Sequence, residues 1–547
     1  MKKIIALILA ALLMLSLAAC SDTAPEGQTS SSGNEAATAA VDREIEAEEA
    51  TGAFDLKTED GAFTVSGNVY TITAAGTYTA SGRLEGQIVI DAGKADEVVL
   101  ELSGATIVSD ADSPVKVLSA GNVDISAKKG TENVIRDERS VKTADGEDQG
   151  EGAIYAECDL KIKGSGTLVV EAKYNNGIHT TKDLKIQKLT MKVNAVNTAL
   201  KGNDSILISS GTIVAISTNG DSVKTENTDV NKNGVTRGDV TVSGGSVTVY
   251  AAGDGFQAAR NFELFAGEDG APEVTIYTGS YSGYTASDAA TTSYKGVKVQ
   301  NELNISAGTL TLQTYDDGLH ADYGAALGDG TTGQGAIRIS GGTVTMNVYA
   351  PENKTAGGRK GPGGWGGQQS VIGADAIHAD HTLTISGGTV SIDSAYEGLE
   401  ANVIVISGGE TTVAANDDGV NACKGNETPA VQVTGGYLDV SVSPSGDTDG
   451  IDSNGIYVQT GGVVIARGSS NMNMAAIDAD GSVTVNGGTL IVLGYGKVSV
   501  GSGVSTYNLS LHSAGAHQVT VDGQTYAFTN AESYGSTACY SSVPVSE

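Results

Sequence analysis

Asp375-Ala-Ile-His-Ala followed by Leu383-Thr-Ile-Ser-Gly-Gly-Thr-Val is a phrase written five times before Leu493. Glu397-Gly-Leu-Glu-Ala leads to Val405-Ile-Ser-Gly-Gly, and Asp418-Gly-Val-Asn-Ala leads to Val431-Gln-Val-Thr-Gly-Gly. Asp449-Gly-Ile-Asp-Ser leads to Tyr457-Val-Gln-Thr-Gly-Gly, and Ala476-Ile-Asp-Ala leads to Val483-Thr-Val-Asn-Gly-Gly-Thr-Leu. The second glycines, Gly388, Gly409, Gly436, Gly462 and Gly488, are 21, 27, 26 and 26 residues apart. A near-fixed period of this size specifies a solenoid, because one repeat is too small to bury its own apolar face. Inside the repeat Leu383, Ile385, Val390 and Ile392 alternate with period two, which is strand. Thr, Ser and Val suit a pleated surface, and the Gly-Gly pair supplies a turn that needs positive φ. The expected fold is all-β, a right-handed parallel β-helix with a cap at each end. A sandwich of hairpins would not repeat one phrase.

Earlier coils carry the same tetrapeptide: Gly152-Ala-Ile-Tyr155, Asn176-Gly-Ile-His179, Thr198-Ala-Leu-Lys201, Asp221-Ser-Val-Lys224, Asp254-Gly-Phe-Gln257, Lys295-Gly-Val-Lys298 and Asp317-Gly-Leu-His320. With the five C-terminal copies this makes twelve rungs from Tyr155 to Asp478. The apolar residue of each should point inward and the residue after it outward. About 17 coils at about 4.8 Å each would build a rod of about 80 Å.

The remaining segments follow. Met1-Lys2-Lys3, the apolar run Ile4 to Leu17 and Leu17-Ala18-Ala19-Cys20 read as a lipoprotein signal, with Cys20 as the lipidated residue. Residues 1–20 are then the signal, 21–52 a flexible tether rich in Ser, Thr, Ala, Glu and Gly, 53–500 the β-helix and 501–547 a C-terminal cap. Asp522-Gly523 should form the turn of a hairpin in that cap. The expected location is extracytoplasmic, on the bacterial cell surface, with membrane contact through the lipid alone. Net charge is −32, which excludes nucleic acid as a simple electrostatic partner and suits cations. Cys158, Cys423 and Cys539 show neither metal spacing nor a disulfide framework. A monomer is expected.

Gly130-Thr-Glu-Asn-Val-Ile, Ala153-Ile-Tyr155, Asp159-Leu-Lys-Ile-Lys-Gly-Ser-Gly-Thr-Leu168 and the Asp-Gly-Ile-Lys-like rungs together resemble a family of bacterial carbohydrate-binding proteins. These are extracellular parallel β-helices of cellulose-degrading clostridia, similar in fold to pectate lyases. The resemblance covers about residues 60 to 495. It implies binding of cellulose-type or acidic polysaccharide and the holding of calcium. The chain departs from the pattern at Lys201, Lys224 and Lys298 and in several inserts.

Stacking puts Asp317, Asp375, Glu397, Asp418 and Asp449 in one column. Three residues on, His320, His378, Glu400, Asn421, Asp452 and Asp478 form a second, and Asp322, Asp380 and Asp480 lie two residues further. Residues 375–490 hold 15 acidic side chains against two basic ones, Lys424 and Arg467. Two carboxylates one coil apart repel by about 1 kcal/mol in water and by several times that when partly buried. Oxygen-rich ligands without cysteine favour Ca²⁺. The competing reading is a solvated acidic face whose turns favour Asp-Gly. Asp229, Asn231 and Asn233 with Gly234 match the first half of an EF-hand loop, although position 12 is Val240; a plain polar turn is the alternative. Tyr174, Tyr315 and Tyr396 precede rung tetrapeptides and would stack against sugar rings or pack in coil turns. Trp365, in a glycine-rich insert, is a further sugar-stacking candidate. No catalytic constellation is recognisable. The enzyme alternative is a calcium-dependent pectate-type lyase using Lys201, Lys224, Lys298 or Arg260 near Asp221 and Asp254, and the third is an adhesive spacer.

Overall fold

A computed structural model describes residues 45–141, 151–284, 293–349, 374–442, 448–468 and 474–547. The described chain is all-β, with one 3₁₀ turn at Gly279–Ser282. Cys20 and Trp365 lie outside the described residues.

Each coil contributes strands to three parallel faces. On the first face Val115–Ser119, Gly152–Ala156, Asn176–Thr180 and Leu200–Gly202 pair in succession, and the series continues through Phe256–Ala258, Val297–Val299 and Leu319–Ala321. The second runs from Asn122–Ala127 through Asp159–Gly164, Asp183–Gln187 and Ser205–Ile208. The third runs from Glu132–Asp137 through Thr167–Ala172, Thr190–Ala195 and Thr212–Ser217. Every one of these pairings is parallel and joins equivalent residues of successive coils, so the chain winds as a solenoid.

The alternation expected from the sequence holds. Ile154, Ile178, Leu200, Val223, Phe256, Val297, Leu319, Ile377, Leu399, Val420, Ile451 and Ile477 are fully buried in a single core cluster. The residue after each lies on the outer side of the first face, in register from Tyr155 to Asp452. Ile477 continues the face through bridges to Ile451 and Gly496.

From Ala336 onward the second and third faces merge into long bent strands, Ala336–Val348, Ile377–Ser394, Leu399–Ala415, Ala430–Val442, Ile456–Arg467 and Val483–Leu493, and Ile377–Ser394 and Leu399–Ala415 take in the first face as well. The bend is the Gly-Gly pair. Gly388, Gly409, Gly436, Gly462 and Gly488 have φ between 71° and 79°, the left-handed region that penalises a side chain. A Cβ on Gly436 would also meet the carbonyl of Gly408 at 2.8 Å, so turn conformation and coil spacing both demand glycine.

The ends differ from the body. Asp55–Thr58 and Phe63–Ser66 pair antiparallel with Gly76–Glu85 and Val69–Ile72. At the other end Gly515–Val521 and Gln524–Asn530 form the expected hairpin, with positive φ at Asp522 and Gly523. Arg467, 1% exposed, ties this segment down: it ion-pairs with Asp439 and donates to Asn530 Oδ1 at 2.8 Å and to the Val440 carbonyl at 3.0 Å. Residues 45–50, within the stretch read as tether, lie against the coils. Ile45 is buried beside Val169, Val214 and Ile216, and the Ala50 amide donates to Thr106 Oγ1 at 2.8 Å.

Candidate functional site

The outer column of the first face changes character along the rod. It reads Lys116, Tyr155, His179, Lys201, Lys224, Gln257, Lys298, then His320, His378, Glu400, Asn421 and Asp452. The basic stretch is neutralised locally. Lys201 pairs with Glu226 at 2.8 Å, Lys224 with Asp221 at 3.1 Å, and Lys298 approaches Asp322 at 3.9 Å. Arg260 pairs with Asp239 at 3.3 Å.

Five of the acids that open tetrapeptides have a structural task. Asp221 Oδ1 accepts the backbone N–H of Asp254 at 3.0 Å, and Asp254 Oδ1 accepts that of Lys295 at 2.8 Å. Asp317 Oδ1 accepts from Asp375 N at 2.9 Å, Asp418 Oδ1 from Asp449 N at 2.7 Å, and Asp449 Oδ1 from Ala475 N. One oxygen of each carboxylate thus stitches its coil to the next, where a loop amide would otherwise be unpaired. The second oxygen is used differently along the column, and that of Asp221 meets Lys224 Nζ at 3.1 Å.

In the middle coils that oxygen meets imidazole. His320 Nδ1 lies 2.9 Å from Asp317 Oδ2 and its Nε2 lies 2.8 Å from Asp322 Oδ1. One coil on, His378 Nδ1 lies 2.8 Å from Asp375 Oδ2 and 2.9 Å from Glu400 Oε2, and its Nε2 lies 3.1 Å from Asp380 Oδ1. The two rings stack at 4.9 Å with 20° between planes. Donor atoms of Asp317, His320 and His378, and of Asp375, His378 and Glu400, each fall within 4.8 Å of one another. Burial disfavours the charge on both imidazoles, but their carboxylate partners outweigh it and raise both above the usual histidine range. Lys295 Nζ, 2.6 Å from Asp317 Oδ2, adds to His320 in holding Asp317 below the usual carboxylate range against the effect of burial.

Further along, carboxylates crowd with no lysine or arginine paired to Glu397, Asp418 or Asp452 among the described residues. Burial, then repulsion from Asp375 and Glu400, pushes Glu397 up to about 10. Burial and the neighbouring Asp417 and Asp449 push Asp418 up to about 8, against the bond from the Asp449 amide. Burial, with Asp478 and Asp480, pushes Asp452 up to about 6. Asn421 donates to Glu397 Oε2 at 3.0 Å, while its own Oδ1 is buried with no hydrogen-bond partner.

The other sequence candidates fall elsewhere. Arg237 grips both oxygens of Asp229 at 2.9 Å, and Asn231 Oδ1 accepts the amides of Asn233 at 2.9 Å and Val235 at 3.1 Å. That loop is closed by its own hydrogen bonds. Tyr174 is buried beneath the Arg139 guanidinium, 3.9 Å from the ring centroid. Tyr396 is half-buried; burial and then Asp417 raise its phenol above the usual tyrosine range. Tyr315 stacks on Tyr349 at 4.3 Å and meets Tyr294 edge-on at 6.0 Å. Tyr349 and Tyr294 were not read from the sequence, nor was the Tyr250–Tyr277 stack at 4.8 Å on the third face. Their signal is the coil register, Tyr250 opposite Tyr277, which emerges only once the irregular coils are aligned. An open groove of about 610 Å³ lies beside the early coils, lined among others by Asp159, Lys182, Asp183, Asp204 and Arg237. It is far in sequence from the histidine and acidic coils.

Comparison with known proteins bears on this arrangement. The chain is similar to a "Carbohydrate-binding domain-containing protein" of Acetivibrio thermocellus, 43% identical over 117 residues, or 21% of this chain and 41% of that relative. It therefore spans about two fifths of that relative's length. It is also similar to a solved structure titled a polysaccharide lyase-like protein from C. thermocellum, as a gadolinium derivative. There the identity is 35%, 40% of this chain and 85% of that chain are covered, and the TM-score is 0.36. The profile of the carbohydrate-binding domain-containing family matches residues 66–348 and 325–419, well over half of the chain, and the protein belongs to that family.

Proposed function

We propose that this chain is a cell-surface lipoprotein that binds polysaccharide, cellulose-type or acidic, with calcium held along the acidic coils of its first face. Membership of the carbohydrate-binding family supports the ligand class. The sequence Leu17-Ala18-Ala19-Cys20 supports the anchor. The fold is a right-handed parallel β-helix, with the antiparallel strands at each end acting as caps that close the core.

One observation carries the calcium reading. Asn421 Oδ1 is buried without a partner among Glu397, Asp418 and Asp452, carboxylates pushed toward their neutral forms. An oxygen-coordinated cation satisfies the orphan acceptor and relieves the repulsion. Glu397, Asp418, Asn421, Asp449, Asp452 and Asp478, spread over successive coils, would supply the ligands of more than one such cation. Asp317, Asp375 and Glu400 have oxygens already taken by imidazole. Bound calcium bridges an acidic sugar to an acidic surface, and aromatic faces such as the Tyr315–Tyr349 pair receive neutral rings. Binding is favoured over turnover because the lysines and the arginine named for a lyase base all face carboxylates.

The test is calorimetry on the metal-stripped chain. Calcium should give binding heat and raise the melting temperature, since a ligand held only by the folded state stabilises it. Asp418→Asn with Asp452→Asn should remove both effects and weaken retention on polygalacturonate gels. No heat and an unchanged melt would sink the calcium reading, and release of unsaturated product would replace binding with lyase activity.

A further inference from the structure

Asp375, His378 and Glu400 differ from the rest of the column in one respect. In the preceding coil Asp317 has an ammonium, Lys295, at 2.6 Å in addition to His320. Among the described residues no lysine or arginine pairs with Asp375 or Glu400; each meets His378 Nδ1, at 2.8 Å and 2.9 Å. The two carboxyls also reach each other, and Glu400 reaches Cys423, so two carboxyls and a thiol crowd around one imidazole. A divalent cation in place of the Nδ1 proton would bind Asp375, His378 and Glu400 together.

The surroundings are built for such an ion. Asp380 Oδ1 sits 3.1 Å from His378 Nε2, fixing the ring from behind in the carboxylate–imidazole pattern that orients metal-bound histidine. Asp375 is 6% exposed and its backbone is held by Asp317 Oδ1 at 2.9 Å. His320 covers one face of the ring. Side-chain exposures of 24% for His378 and 18% for Glu400 leave an entrance from solvent. One imidazole nitrogen with carboxylate oxygens is a donor set for a borderline d-block ion, whereas calcium takes oxygen alone.

We infer that Asp375, His378 and Glu400 form a binding site for a divalent transition metal of the zinc class, with Asp380 as the residue that positions His378. It shares the Glu397–Glu400 coil with the first of the residues proposed for calcium but uses a different ligand set.

The experiment titrates the metal-stripped full chain with Zn²⁺ against a chromophoric chelator, and with Co²⁺ while recording its visible spectrum. The wild type should bind a single tight equivalent of Zn²⁺ that about a hundredfold excess of Ca²⁺ does not displace. His378→Asn and Glu400→Gln should each lose that equivalent, and Asp380→Asn should weaken it by about 10- to 100-fold. His320→Asn, in the coil already served by Lys295, should weaken it less than Asp380→Asn. Circular dichroism and melting curves establish that each variant is folded. Absence of tight Zn²⁺ binding in the wild type overturns the proposal. So does unchanged affinity in folded His378→Asn and Glu400→Gln, a Co²⁺ spectrum identical with and without the imidazole, or ready displacement by Ca²⁺. Calcium heat that survives in His378→Asn while Zn²⁺ is lost separates this site from the calcium coils. Absence of calcium heat in the wild type, with tight Zn²⁺ binding present, overturns only the calcium reading.

Discussion

At His179 the outer column carries an imidazole whose environment is the reverse of His378. Its Nε2 is 3.1 Å from Asn203 Oδ1, its Nδ1 is buried without a hydrogen-bond partner, and the nearest carboxylate, Glu151, is 3.9 Å away. Burial first, and then the charge of Lys201, push it down to about 4. Its folded value therefore lies below the ordinary one of about 6.5. Between those values the unfolded chain takes up a proton that the folded chain does not, so this residue's contribution falls as pH drops through the window. The loss levels off below about pH 4 at roughly 3 kcal/mol. His179→Gln should keep the amide contact to Asn203 and flatten stability between pH 6.5 and 4 by up to that amount. Denaturant melts at several pH values would measure it, and parallel curves for the two proteins would show that His179 does not carry the effect. The same rung position thus yields opposite titration according to what stands two and three residues away. This is why the column was legible in the sequence while the state of each member was not.

At the scale of the coil, the Gly-Gly turn separates two costs. Gly436 and Gly104 have similar φ, 79° and 73°, but a Cβ at Gly436 meets backbone at 2.8 Å whereas one at Gly104 meets nothing within 4 Å. Gly104→Ala should cost about 1 kcal/mol, the left-handed conformation alone. Gly436→Ala should cost at least about 2 kcal/mol more than that, because the coils must part. Chemical denaturation of both variants would test the difference; equal losses would mean that stacking places no demand on the turn. The turn and the rung were readable because each repeats and each has a local cause, positive φ in one and alternation in the other. Contacts between coils far apart were not. Gly328 donates to Thr228 Oγ1 at 2.7 Å, and Thr236 bonds Asp329 at 3.4 Å, across separations near 100 residues. Nothing in either loop encodes its partner. The docking of Ile45 on the third face was hidden likewise, since one apolar residue in a polar stretch has no period. At the candidate site the acids were read from their spacing, but their stitching role needs the amide positions of the next coil. The convergence of Asp375 and Glu400 on a single imidazole nitrogen is likewise a fact of side-chain direction.

Across the whole molecule, charge is graded rather than uniform. Lysines of the early coils pair with acids one by one, histidines bridge acids in the middle, and the later coils hold acids with few cations. With a net charge of −32, screening at high salt should stabilise the metal-free protein, and on the calcium proposal the gain should shrink when calcium is added. Melting curves across a salt series with and without calcium would show this; an equal salt gain in both would place the repulsion away from the later coils. The strand pairing has a mechanical consequence as well. Each face is held to the next coil by parallel backbone bonds running along the rod, so traction on the two ends loads one inter-coil seam at a time. A tethered molecule stretched in a force spectrometer should yield as a ratchet. The spacing from Gly436 to Gly462 is 26 residues, and each step there should release about 90 Å of contour at roughly 3.4 Å per residue. Such a solenoid would behave under load as a shock absorber that lengthens in instalments instead of letting go at once.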